Sequence, residues 1–114
     1  MKEETHQLPN ISTPVSFRIG SNAAENSKMI GEADPGDIWF HLNNAPSAHV
    51  LTSLPAGLSK KQRITVIKRG AQLCRRHTNS CSDKRAAPVC YTPVSMLTLL
   101  DAPGSVEIKH FKLI

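Results

Sequence analysis

From Asp37 to Leu42 two kinds of position alternate, with Ile38, Phe40 and Leu42 on one set and Asp37, Trp39 and His41 on the other. A period of two predicts a strand with one apolar face. Asn43 to Ser47 is rich in turn formers, and Ala48 to Thr52 reads as the returning strand. A register that sets His41 opposite His49 would make the two imidazoles cross-strand neighbours. Upstream, Val15 to Ile19 predicts a short strand and Gly20-Ser21 a turn. Asn22 then caps a helix to about Glu32, with Glu25 suited to its positive end. Asp34-Pro-Gly-Asp37 is a turn signal between the two units.

The longest helix is expected from about Lys60 to His77, capped by Ser59. Ile64, Ile67, Ala71 and Cys74 form its apolar seam, widened by Val66, Gly70 and Leu73. Lys61, Lys68, Arg69, Arg75 and Arg76 project to the opposite arc, with Thr65 and Gln72 between them. A solvated helix ordinarily mixes signs, because like charges one turn apart repel. A face of five cations without an anion therefore points to a partner. Asn79 to Arg85 reads as a polar loop ending in the further cations Lys84 and Arg85. Ala87 to Thr92 predicts another core strand, and Thr92-Pro93 opens a short apolar helix carrying Met96, Leu97, Leu99 and Leu100. After the turn Ala102-Pro-Gly104, a last strand from Val106 to Ile114 breaks its alternation near His110. Met1 to Thr13 is polar and without periodicity, and is expected as a flexible leader. The fold class is α+β, a single domain over residues 14–114 with a mixed or largely antiparallel sheet and helices packed on one face.

Charge sharpens this picture. The 114 residues carry a net charge of +5, unevenly spread. Residues 1–37 hold six acids against three bases, whereas residues 38–114 hold eleven bases against three acids. That asymmetry suits a phosphate-rich partner. No secretory signal and no membrane-spanning run is read from the chain, so a membrane is not expected as a partner. Cys74, Cys81 and Cys90 are odd in number and unevenly spaced, which favours inert thiols in a reducing compartment, the cytoplasm first and the nucleus second. Cys74-x2-His77-x3-Cys81 lacks a fourth zinc ligand at any usual spacing. Asp37, His41 and His49 are types that suit a metal or an acid–base pair. No nucleophile motif or Gly-rich phosphate loop accompanies them, so no enzyme, metal or cofactor is expected. Aromatic residues make up only 4% of the chain, which disfavours a stacking platform for RNA bases and favours backbone and shape recognition. Trp39 reads as a packed core residue whose indole N–H bonds Asp37, with base stacking as the alternative.

Several of these strings carry a resemblance. Gly20-Ser-Asn-Ala-Ala-Glu-Asn26, Asp37-Ile-Trp-Phe-His41, Ser47-Ala-His-Val50, Tyr91-Thr92 and Ala102-Pro-Gly-Ser-Val106 resemble the NFACT-R domain family in order and spacing, over about Phe17 to His110. Such domains occur in the large proteins of ribosome-associated quality control that hold tRNA on a stalled large subunit. They also occur as small stand-alone proteins, and the Ser-Ala-His-Val form is similar to a eukaryotic coiled-coil-containing branch. The chain departs from the pattern at Ser21, where a basic residue is common, and at Met96-Leu-Thr-Leu99, where lysine is common. Residues 1–114 hold no stretch that matches the long coiled coil of that branch.

What the resemblance implies is a non-enzymatic domain binding structured RNA, tRNA or rRNA, with DNA second and the ribosome or a larger quality-control assembly as context. Lys61, Lys68, Arg69, Arg75, Arg76, Lys84 and Arg85 are the expected phosphate contacts, with Lys109 and Lys112 secondary. Asn22, Asp37, Trp39, His41 and His49 are expected to shape the surface beside them. The alternative is an adaptor that docks an acidic protein through the same basic helix.

Overall fold

Alternation along the chain builds a six-stranded sheet in the order Lys2–His6, Val15–Gly20, His49–Thr52, Ile38–Leu42, Val89–Pro93 and Lys112–Leu113, every pairing antiparallel. The computed structural model describes residues 1–78 and 87–114. Its elements are β1 (Lys2–His6), β2 (Val15–Gly20), α1 (Ala23–Glu32), β3 (Ile38–Leu42), β4 (His49–Thr52) and α2 (Lys60–Arg76), followed by β5 (Val89–Pro93), β6 (Leu97–Leu99), β7 (Val106–Ile108) and β8 (Lys112–Leu113). Strands β6 and β7 form a separate hairpin.

Both helices start where their caps dictate. Asn22 Oδ1 accepts the Glu25 N–H at 2.9 Å. Ser59 and Gln62 close a reciprocal capping box, with Gln62 N donating to Ser59 Oγ at 3.1 Å and Ser59 N to Gln62 Oε1 at 2.8 Å.

The two helices lie on opposite faces of the sheet, which corrects the expectation of helices on one face. Ile38, Phe40 and Leu42 of β3 pack under α2 with Phe17, Val50, Val66, Leu73 and Val89. Trp39 and Leu51 point the other way, to Met29 and Ile30 of α1 and to Leu97, Val106 and Ile108 of the hairpin. The cause is topological. The connections β2-α1-β3 and β4-α2-β5 both cross the sheet in one direction, but β2 and β4 run antiparallel. A right-handed crossover then puts one helix above the sheet and the other below. Close packing on the α2 side depends on Gly70, where a Cβ would lie 2.3 Å from Phe40 Cζ.

Three further expectations are corrected. The leader over residues 1–13 is structured: Lys2–His6 pairs with β2 as an edge strand, and Leu8 and Ile11 are buried in the main core. The apolar helix after Pro93 is instead a single 3-10 turn, Val94–Met96, leading into β6. The single last strand is two, β7 and β8, and the break in alternation at His110 lies where the chain leaves the hairpin for the main sheet.

Candidate nucleic-acid interface

Helix α2 contains no Asp or Glu, and its outer face holds Lys61, Lys68 and Arg76, all exposed. At 1.5 Å rise per residue these follow one another at roughly 10–12 Å along the axis. The side chains of Lys61 and Lys68 make no hydrogen bond or ion pair among the described residues. At the end of α2, Glu4 of β1 places Oε2 2.8 Å from Nε2 of the C-cap residue His77. Glu4 also lies 3.0 Å from His6, and these contacts hold its pKa below the usual carboxylate value against partial desolvation. Four further described acids sit elsewhere. Glu25 and Glu32 are on α1, Glu107 is on the outward side of β7, and Asp37 is bonded to Arg18.

Two expected phosphate contacts have structural work instead. Arg75 Nε donates to Ala87 O at 2.6 Å and Nη2 to Ile114 O at 3.0 Å, bracing α2 to the start of β5 and the end of the chain. Arg69 Nη1 lies 2.8 Å from His6 Nδ1 and holds the edge strand. Lys109 and Lys112 are exposed, and Lys112 sits on β8 opposite Tyr91. Lys84 and Arg85, like Cys81, lie outside the described residues. Lys60 and Arg63 are exposed cations that sequence reasoning missed. Arg63 projects toward the apolar seam on a helical wheel, but it lies in the first turn, at the rim of the packed region.

The residues of the family motifs are mostly interior, which corrects their assignment to a surface beside the cations. Asp37, Trp39 and His49 are buried, at 5%, 1% and 4% exposure, with Trp39 packed on the α1 side of the sheet. The β3–β4 register pairs Phe40 with Val50, and one step further sets His41 against His49, ring centroids 4.8 Å apart. Trp39 Nε1 donates to His49 Nδ1 at 3.1 Å, so its partner is His49 and not Asp37. Asp37 instead ties the turn, accepting from Ser53 Oγ at 2.7 Å and from Asp34 N at 3.1 Å. His41 stacks on Trp39 and donates from Nδ1 to Leu42 O at 2.6 Å. Burial pushes the His49 pKa down to about 4, with help from the neighbouring His41, and burial lowers His41 as well. Both rings are neutral near pH 7. Cys74, held by desolvation at about 11, is an inert thiol against Ser47 Oγ.

Asn22 and half-buried His41 do reach a surface. Four separate strings of the chain, around Gly20–Asn26, His41, Ser47-Ala48 and Pro103–Ser105, meet in one pocket of about 490 Å³, with His77 and Thr78 closing its side. A Cβ at Gly20 would lie 1.9 Å from Asn26 Oδ1, so a larger residue there would have to displace that side chain.

The fold has a solved counterpart. Over its whole length the chain matches the C-terminal part of the fibronectin/fibrinogen-binding protein of Streptococcus suis, with a TM-score of 0.79 and 20% identity, covering 44% of that chain. It is also 38% identical over 47 residues to coiled-coil domain-containing protein 25 of Danio rerio, a match that takes in 41% of this chain and 23% of the relative. No family model matches the chain. The chain thus spans less than half of the structural relative and under a quarter of the curated one.

Proposed function

We propose that this chain is a non-enzymatic, cytoplasmic domain that binds structured RNA, tRNA or ribosomal RNA, through backbone and shape in ribosome-associated quality control. One observation carries the reading: α2 presents a cationic face without an anion of its own, while α1 and β7 carry acids on the other side of the sheet. Such a face neutralises phosphates and releases counterions without reading bases. With Trp39 buried, direct base readout has little aromatic material left. The NFACT-R-like strings suggest the setting. The streptococcal likeness bears on the fold alone.

Because Arg75 serves the fold, the test belongs on Lys61 and Lys68. In filter-binding titrations, Lys61→Glu with Lys68→Glu is expected to weaken tRNA and unrelated structured RNAs alike. The slope of log K against log salt should flatten by about 1.4–1.8, the share of two phosphate contacts. Unchanged affinity in the double variant would remove α2 as the RNA face.

A further inference from the structure

Along the edge of α2 that faces β5 and β8 runs a groove of about 560 Å³, distinct from the helix's outer face. Its floor is apolar: Ile64, Ile67, Tyr91, Met96 and Phe111 line it. Ile64 and Phe111 remain 40% and 41% exposed, the sort of exposure a partner covers and an RNA backbone does not require. Its rim is cationic. Lys60, Arg63 and Lys112 stand around it with His110, and among the described residues no Asp or Glu lines it.

We infer that this groove docks an acidic protein segment, one that places aliphatic or aromatic side chains on the floor and carboxylates against the rim. Charge complementarity selects the sign of the partner. The floor selects its class. Ile64, Ile67 and Met96 offer no hydrogen bond to a base edge, and the hydroxyl of Thr92 on the groove wall is already committed to His110 O at 2.6 Å. A base edge laid against Ile64, Ile67 and Met96 would leave its polar atoms unpaired, whereas apolar side chains lose nothing there. The volume lies within the range of grooves that seat anchoring side chains.

The inference does not depend on the RNA reading: Arg63 projects from a different side of α2 than Lys61 and Lys68, and Ile64, one turn from each of them, borders their face without carrying charge. The probe is a labelled peptide of about 14 residues with Leu and Phe at i, i+4 and i+7 and Asp or Glu between them. Its control has the same composition in scrambled order. Titrated into the isotope-labelled chain, the amphipathic peptide is expected to shift amide resonances of residues 60–67, 91–96 and 110–112, and the scrambled one to bind about tenfold more weakly. Ile64→Ala should weaken the amphipathic peptide about tenfold by fluorescence anisotropy, and Arg63→Glu should weaken it and reduce its salt dependence, with tRNA affinity unchanged in Ile64→Ala, which adds no charge beside Lys61 and Lys68. The wild-type resonance map decides the question even if a variant fails to fold. Equal binding of the scrambled peptide overturns the inference. So do shifts confined to the outer face around Lys68 and Arg76, or displacement of the peptide from the groove resonances by single-stranded RNA.

Discussion

His49 holds an unprotonated Nδ1 toward the indole of Trp39. A proton at that position would break the hydrogen bond and place a charge in a buried site beside His41. Its folded pKa, about 4, lies below the ordinary 6.5, so between these values the unfolded chain binds the proton that the folded chain refuses. The stabilisation is complete above pH 6.5 and is lost as pH falls toward 4, on the order of a few kcal/mol at most. Lowered His41 acts in the same sense. Glu4, also lowered, adds its own loss only below the ordinary carboxylate value of 4.5. His49→Asn keeps an acceptor for the indole and removes the titration. Urea melts followed by Trp39 fluorescence should show a shallower decline from pH 6.5 to 4.5 in this variant, and an unchanged slope would discard the account. The pairing of His41 with His49 was legible from alternation and a compact turn. The indole's partner was not: Trp39 pairs with Leu51, so His49 is its diagonal neighbour, no nearer by register than Asp37 two residues along the same strand, and one sequence does not rank the two.

Element by element, legibility followed the strength of local signals. Helix α2 has a capping box, a seam and a clean polar arc, and it forms where those signals put it. Strand β1 has none of them. Lys2-Glu-Glu-Thr-His6 is polar throughout because an edge strand half open to water needs no apolar alternation, and its pairing comes from the free edge of β2. Met96-Leu-Thr-Leu99 reads as helix in the sequence, since a short apolar run fits either period; β7 supplies the partner that makes Leu97–Leu99 a strand. Arg75 shows the same limit in energetic form. The helical wheel places it among the cations, yet its fork binds two backbone carbonyls contributed by distant parts of the chain. Arg75→Lys keeps the charge and loses the fork. Thermal unfolding should show a loss of about 1.5–3 kcal/mol, while the salt slope for tRNA stays where it was. A variant as stable as the wild type would return Arg75 to the pool of phosphate contacts.

At the scale of the molecule, the right-handed crossover rule and the charge distribution reinforce one another. Antiparallel β2 and β4 send α1 and α2 to opposite faces, and with them go acids in one direction and bases in the other. If RNA affinity depends on that polarity rather than on the total, net charge can be restored without restoring function. Lys61→Glu with Lys68→Glu lowers the formal net charge from +5 to +1, two units for each exchange. Adding Glu32→Lys and Glu107→Lys, both exposed on the opposite side, brings it back to +5. The fourfold variant is expected to bind tRNA as weakly as the double one in filter binding at matched salt. Recovery of affinity would mean that RNA senses the overall charge of the chain, and that the cationic face of α2 has no special standing.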